Sequence, residues 1–294
     1  MQAIQSRAPI FLALLLVLCF IILDQMVGDW GRATGGFSNL VLFFNESLWP
    51  PDWSVIEPRS YPPCESNNLL EVTCSPAWIG MIETIRIALV STVFGMVISL
   101  PIAILAARNI SSGWLSYGAR LILAASRSLP SLIWAIFFVI LVGFGPFAGV
   151  LAMTIYTVGY LGKLQYETIE GMDGTPLEAA NSMGLSRIES SLGVVIPESA
   201  NSLISQAIFM FEYNVRHGTV IGIVGAGGIG YEIKNNLAFL QYDRVFAYLL
   251  IIFVVVILID MISIFARSFF TEESDVERPT WAGVFLPVGL TQVK

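Results

Sequence analysis

Six long apolar stretches constrain the fold of this 294-residue chain more than any other feature. They lie near residues 8–28, 82–107, 118–143, 146–165, 198–223 and 245–267. Each is close to the ~20 apolar residues that an α-helix needs to cross the hydrocarbon core of a bilayer. We therefore predict an all-α, polytopic membrane protein with about six transmembrane helices.

The charge content supports this class and excludes others. Charged residues make up only 13% of the chain, whereas a soluble domain carries about 25%. So few charges cannot cover a water-exposed surface, so most of the chain must face lipid or other helices. The net charge of −7 argues against nucleic acid as a partner, because a basic face is expected there.

The order of the stretches predicts four regions. Residues 1–28 form an anchor helix, and 29–77 an extracytoplasmic loop with an interfacial helix near 37–49. Residues 78–267 form a core of five transmembrane helices, and 268–294 a cytoplasmic tail. An even number of spans places both termini on one side, and the bias of basic residues in short loops places them in the cytoplasm.

A glycine cluster, "VIGIVGAGGIG" (220–230), fits the G-x-G-x-x-G pattern of dinucleotide-binding folds, with Asp243 where a ribose-binding acid is expected. Such a fold needs soluble βαβ units, and a further apolar stretch follows too soon to allow them. We therefore interpret Gly222–Gly230 as a tight, non-helical turn at the end of a membrane helix, where glycine permits positive φ.

Two cysteines, Cys64 and Cys74, lie in the long external loop. An extracytoplasmic compartment is oxidising and favours a disulfide between them; the alternative is two free thiols. No metal site is expected, because His217 is the only histidine and lies far away in sequence.

The loop 174–199 carries the clearest helix signals outside the membrane. Thr175 and Glu178 fit a capping box with Pro176 at the first helical position, and Gly184 fits a left-handed helix end. A second capping box follows, formed by Ser186 and Glu189. It begins a second short helix, which is expected to stop near Pro197.

The first of these helices, from Pro176 to Met183, has a face of small residues, Ala179, Ala180 and Ser182. Such a face can seat in the groove of a partner. The alternative is a plain turn between two spans, but two capped helices favour a docking element.

The same loop, "EAANSMGLSRIESSLGVVIP", resembles the EAA loop of ABC importer permeases. The matching positions are Glu178, Ala179, Ala180, Gly184 and Pro197. Further stretches resemble the phosphonate branch of these permeases, which imports phosphonate, phosphite or phosphate: "WPPDW" (49–53), "LPIAILAARN" (100–109), "SRSLPSLIWA" (126–135), "GFGPFAGVLA" (143–152) and "FEYNVRHGTVIGIVGAGGIG" (211–230). The segment 54–77 is longer than the usual loop of the family.

The resemblance implies a type I ABC importer permease in the cytoplasmic membrane, built as a homodimer. Two separate ATPase subunits would bind ATP and Mg²⁺, and each would receive the coupling loop 170–197 through Glu178, Ala179, Ala180 and Gly184. An extracytoplasmic binding protein would deliver the substrate. This chain carries no Walker motif of its own, so it is expected to be neither an enzyme nor the holder of a cofactor.

Ionisable residues inside spans usually face a pore or a partner. One interpretation places Arg127 and Arg216 on the path of an anion. The other makes Glu212–Arg216, at i,i+4, a structural ion pair and Arg127 a contact to backbone carbonyls. The complete set of candidate path or gate residues is Arg127, Ser128, Glu212, Asn214, Arg216, Gly225, Gly227 and Gly228.

Three other functions share some of these sequence features. An ABC permease for another small solute has the same coupling loop. An ion-coupled secondary transporter also uses glycine-interrupted helices. It has no ATPase subunit, however, so it does not explain the EAA-like loop. An intramembrane enzyme has little support, because no Ser/His/Asp or metal constellation surrounds His217, which is interpreted as an amphipathic residue near a helix end.

Overall fold

The structure is a computed structural model that describes residues 8–28, 30–58 and 71–270. Within those residues every regular element is helical, and no strand is present. The chain divides into two compact units, the first ending at Pro50 and the second beginning at Pro51. Each unit is described separately.

Within its described residues, the first unit contains two α-helices. Helix α1 spans Ala8–Val27 and helix α2 spans Trp30–Phe43, which continues into a π-helical turn, Phe44–Leu48. The Trp30 indole N–H donates to the Asp24 carboxylate at 2.7 Å, which joins the two helices. Residues 37–48 of the predicted stretch 37–49 are therefore helical, but the helix begins earlier, at Trp30, and Trp49 is extended.

The second unit contains nine α-helices within the described residues. Their bounds are α3 Pro76–Ala106, α4 Gly113–Ser126, α5 Ser131–Val142, α6 Pro146–Gly171, α7 Thr175–Ser182, α8 Arg187–Ser190, α9 Ile196–Ile221, α10 Ile229–Ala238 and α11 Tyr242–Ser268. A π-helical turn, Ser191–Val195, joins α8 to α9, and 3₁₀ turns lie at Trp53–Ile56, Glu71–Cys74 and Gly222–Val224.

The expected six spans are not all recovered. Among the described residues, four helical segments are long and apolar enough to cross a membrane: α3, α6, α11 and the run Arg187–Ala238 that contains α8 to α10. The pair α4 and α5 counts as a fifth span only if it is taken as one broken helix. The described apolar part of α1, Phe11–Val27, is shorter than the others.

The predicted span 118–143 is wrong as a single helix, because α4 and α5 meet at an angle of 80°. Pro130 lacks a backbone N–H, and its ring disfavours the α conformation at Leu129. Helix α4 accordingly ends at Ser126, and Pro130 precedes the first residue of α5 with an extended ψ of 148°. The "SLP" sequence at residues 128–130 carried this signal.

Helices α3 and α6 pack together at the centre of the unit. Gly95 on α3 allows this close approach, because a Cβ atom there would lie 2.3 Å from Thr157 on α6. Small residues at such contacts are typical of membrane helix pairs, where packing rather than hydrophobic transfer drives association. Helices α4, α5 and α9 pack against this pair, and α9 therefore brings its polar residues to the centre of the unit.

Candidate functional site

The loop between α6 and α9 forms the predicted pair of short helices. Helix α7 ends in a Schellman motif: the Gly184 N–H donates to the Asn181 carbonyl at 3.0 Å and the Leu185 N–H to the Ala180 carbonyl at 3.2 Å. Gly184 has φ +74°, as its left-handed position requires. The capping box of Ser186 and Glu189 at α8 is also present.

Two details of this loop differ from the sequence prediction. The capping box of Thr175 and Glu178 is wrong, because Thr175 is already helical and its N–H and hydroxyl both donate to Asp173. The second helix does not stop near Pro197. Instead, the wider π turn at Ser191–Val195 leads the chain into α9 with Pro197 in its first turn, where a missing N–H costs no helical hydrogen bond.

The buried and exposed sides of α7 also differ from the sequence prediction. Ala180 is 0% exposed, and Leu177 packs in a core cluster with Val195. Glu178, Ala179 and Ser182 are exposed. Of the three residues in the predicted small-residue face, Ala180 therefore lies against the protein's own core.

Large apolar side chains extend the exposed surface of the loop. Met183 is 70% exposed at the end of α7, and Ile188 is 73% exposed on α8. We call Glu178, Ala179, Met183 and Ile188 the coupling surface. Exposed apolar residues beside a charged one are typical of a protein contact surface.

The charges of α9 are shared with α11. Arg216 contacts both Glu212 and Asp260, the latter at 2.7 Å, and Arg267 donates to Glu212 at 3.2 Å. Glu212 is only 7% exposed. Two carboxylates and two guanidinium groups balance, so this network neutralises itself between the two helices.

Asn214 is fully buried and connects three helices. Its amide nitrogen donates to Thr92 on α3 at 2.9 Å and to Thr157 on α6 at 3.0 Å. Its oxygen accepts from Thr157 at 3.4 Å. A buried amide with these partners fixes helix positions and leaves little capacity for a ligand.

Arg127 and Ser128 lie in the bend between α4 and α5, and both are exposed. The backbone of the bend rests on α6: a Cβ atom added at Gly159 would lie 2.7 Å from the Arg127 nitrogen. The bend therefore places these two residues beside the middle of α6.

The glycine turn is confirmed between Gly225 and Gly228, where Gly225, Gly227 and Gly228 have φ of +92°, +83° and +76°. The Gly145 N–H donates to the Gly225 carbonyl at 2.9 Å, so the turn is joined to the α5–α6 connection. A cavity of about 320 Å³ opens beside the turn, lined in part by Glu83 and Phe144.

A cluster of rings that the sequence analysis missed lies between α6 and α9. The Tyr213 ring stacks on His217 with centroids 4.0 Å apart and on Tyr160 at 5.6 Å. The Tyr156 and Tyr213 hydroxyls are 2.8 Å apart, and Ser131 Oγ of α5 is 3.3 Å from His217 Nδ1. Their i,i+4 spacing on each helix was the available signal.

We call Ser131, Tyr156, Tyr160, Tyr213 and His217 the ring cluster. Its four aromatic members are half-buried, and Ser131 is buried. His217, interpreted from the sequence as an amphipathic residue near a helix end, lies four residues before the end of α9 and belongs to this stack of rings.

Two further predictions concern cysteines and metals. Cys74 is buried, but Cys64 lies outside the described residues, so the disulfide stays a prediction. Among the residues that the structure describes, no group of three or more His, Cys, Asp or Glu side chains is arranged to hold a metal ion.

The fold is similar to solved transporter structures. An inward-facing structure of the MetNI methionine ABC transporter matches 66% of this chain and 95% of its own with a TM-score of 0.59, at 24% sequence identity. That likeness concerns the fold alone. It agrees with the predicted all-α permease architecture.

Two curated relatives are more similar in sequence. The phosphite transport system permease protein PtxC of Stutzerimonas stutzeri is 42% identical over 66% of this chain and 71% of its own length. The phosphate-import permease protein PhnE of Mycolicibacterium smegmatis is 38% identical over 63% of this chain, and the match spans 35% of that protein.

A family model covers the helices that form the coupling loop, the ring cluster and the glycine turn. Residues 99–269 match the model described as the binding-protein-dependent transport system inner membrane component. This match includes more than half of the chain, and the resemblance read from the EAA-like loop is thereby confirmed. The chain belongs to the family of inner membrane permease components of binding-protein-dependent ABC importers.

Proposed function

We propose that this chain is the membrane-spanning subunit of an ATP-driven importer for a phosphorus oxyanion: phosphite, phosphate or a phosphonate. The observation that carries the proposal is the 42% identity to a phosphite permease across 71% of that protein. A second copy of the chain, two ATPase subunits and an extracytoplasmic binding protein complete the importer. It works by alternating access in the inner membrane, with both termini in the cytoplasm.

The coupling surface supports the ATPase contact. Glu178 lies in the first turn of α7, where its charge also favours the helix dipole. Met183 and Ile188 expose apolar side chains, and burying them against a partner is favourable because it removes apolar surface from water. We infer that a cleft of the ATPase covers this surface, and that Leu177 and Ala180 anchor it to the permease core.

The path is proposed to run beside the bend and the glycine turn. Arg127 and Ser128 would contact the anion. Gly225, Gly227 and Gly228 would form a gate just after the C-terminal end of α9. The balanced contacts of Glu212 and Arg216 and the complete burial of Asn214 support a structural role for those three residues.

Reconstitution tests the proposal. The permease, its ATPase and the binding protein encoded beside it are placed in liposomes, and uptake of labelled phosphite, phosphate and methylphosphonate is followed. We expect uptake of at least one of them only with ATP and binding protein, and no uptake of choline. Uptake driven by an ion gradient without ATP would support a secondary transporter instead. Uptake restricted to another small solute would overturn the substrate class.

A further inference from the structure

We propose that the ring cluster is a contact site for a tetrahedral phosphorus oxyanion during its passage through the membrane. This inference rests on the proposed function and assigns to α5, α6 and α9 the side chains that touch the substrate. Ser131 and His217 supply one edge of the site, and three tyrosine hydroxyls supply the other.

Counting hydrogen-bond donors shows what the cluster offers. In the Tyr156–Tyr213 pair, one hydroxyl donates to the other, so one hydroxyl proton remains free. In the Ser131–His217 pair, either the serine proton or a ring N–H remains free, whichever tautomer is present. The Tyr160 hydroxyl has no acceptor among the described residues and adds a third free donor. A tetrahedral oxyanion presents several acceptor oxygens to such a set.

The surrounding charges do not oppose an anion. The cluster contains no carboxylate, and Glu212, the nearest acid along α9, is neutralised by Arg216 and Arg267. The backbone nitrogen of Arg127 lies against Gly159, which directly precedes Tyr160 on α6, so the backbone of a cationic residue passes close to the cluster.

The depth of the cluster fits a site along the path. Tyr156 lies ten residues after the start of α6, and Tyr213 lies eight residues before the end of α9. At 1.5 Å per residue these are distances of about 15 Å and about 12 Å from the helix ends, within a hydrocarbon core of about 30 Å. Free polar donors at mid-depth are costly against lipid, so the half-exposed side of the cluster requires a polar neighbour.

The hydrogen-bond donors of the cluster are suited to weak, reversible binding of an anion rather than to tight binding. All five members are neutral or weakly basic, so they bind an anion more weakly than a pair of arginines would. A translocation site must bind well enough to admit the ion and weakly enough to release it. The stacked rings hold the hydroxyls in place without a fixed charge.

The test removes donors while keeping the rings. The full importer is reconstituted with wild-type permease, with the double variant Tyr156→Phe/Tyr213→Phe, and with Ser131→Ala. Tyr117→Phe is the matched control, because Tyr117 is an exposed tyrosine on α4 outside the cluster. Phosphite uptake and ATP hydrolysis stimulated by the loaded binding protein are measured on the same vesicles, together with the dimeric state of each variant.

We expect the double variant to import phosphite about tenfold more slowly than the control, because it loses hydrogen bonds to a charged acceptor, while stimulated ATP hydrolysis stays within about twofold. Ser131→Ala should show a smaller loss of the same kind. A lower ratio of imported phosphite to hydrolysed ATP is the result that we expect if the cluster contacts the anion, and it is not the result that we expect if the cluster only packs the helices together.

Three outcomes separate the possible failures. Uptake by the double variant equal to that of Tyr117→Phe overturns the site while leaving the proposed function intact. A parallel loss of uptake, ATP hydrolysis and dimer shows that the cluster is a packing contact, and also overturns it. A wild-type importer that carries no phosphorus oxyanion overturns the proposed function, and this inference with it.

Discussion

At the scale of single residues, Gly228 lies under two constraints at once. Its φ of +76° and ψ of −175° form a backbone conformation that is almost exclusive to glycine. A Cβ atom there would also lie 2.5 Å from Thr84 Oγ1. That hydroxyl accepts the Ile229 N–H at 2.9 Å and so caps the start of α10. Any side chain at residue 228 must therefore strain the turn and displace its cap.

We expect Gly228→Ala to reduce uptake strongly while the permease still inserts into the membrane, because the strain of about 1–3 kcal/mol falls on the proposed gate. Gly118→Ala is the control, since a methyl group at Gly118 meets no atom within 4 Å. Uptake per permease molecule is measured by transport assay and immunoblot of membranes. Equal uptake per molecule in both variants would contradict a gating role for this turn.

The sequence predicted residues whose roles are set by the backbone. Gly184, Gly225, Gly227 and Gly228 were assigned to turns, and all four have positive φ. It did not predict which side of α7 faces inward, because Ala179 and Ala180 are equally small and only packing distinguishes them. It also did not predict the contacts of His217 with Ser131 of α5 and Tyr156 of α6, because these partners are distant in sequence.

At the scale of elements, the exact start of α7 shows a further limit. Asp173 and Thr175 are both good capping residues and lie only two positions apart in "DGTP". Sequence preference alone does not choose between them. The burial of Leu177 in the core fixes the rotation of α7, and with that rotation Thr175 lies inside the helix and Asp173 accepts its N–H.

The 3₁₀ turn Trp53–Ile56 shows how a short element is held on a long helix. Asp52 caps the turn by accepting the Ser54 N–H at 2.9 Å, and its other carboxylate oxygen accepts from Arg244 Nε of α11 at 2.8 Å. Val55 is buried in a cluster with Tyr248 of α11. The ion pair therefore adds to an apolar contact that already exists.

Asp52→Asn should destabilise the protein slightly, by about 1 kcal/mol or less, because both partners are partly exposed to solvent. The hydrogen bond from Arg244 lowers the pKa of Asp52 below its ordinary value. The stability from this carboxylate is therefore present above about pH 4 and is lost as the pH falls through the lowered pKa.

Thermal unfolding in detergent between pH 7 and pH 3 checks this expectation. The difference in midpoint between wild type and Asp52→Asn should shrink on acidification and also shrink in high salt. Glu57→Gln is the control, because Glu57 is exposed at the end of the same turn. A difference that grows at low pH would contradict the ion pair as its source.

At the scale of the whole molecule, a continuous helical path connects the coupling surface to the glycine turn. From Ser186 the chain passes through α8, the π turn and α9 without a non-helical break until Gly225. Helix α9 carries Tyr213 and His217 of the ring cluster on the way. A rigid element of this kind transmits a displacement at one end to the other, so motion of an ATPase at the loop would reach both the proposed site and the gate.

Gly184 is the joint between α7 and this path, and it allows the coupling hypothesis to be tested without removing a contact. A Cβ atom at Gly184 would meet no atom within 4 Å, so only its φ of +74° opposes a side chain. Valine in this conformation costs about 1–2 kcal/mol, which lowers the population of the bent loop about 5- to 30-fold. Asparagine tolerates the left-handed region.

We therefore expect Gly184→Val to assemble with the ATPase but to lose most of the ATP hydrolysis that the loaded binding protein stimulates, whereas Gly184→Asn keeps it. Both variants are purified with the ATPase, reconstituted in lipid and assayed at equal complex concentration. Full stimulation in Gly184→Val would mean that the force passes around this joint, through the direct contact of Leu177 with the permease core. A loss in both variants would mean that the joint needs glycine for a reason other than its positive φ.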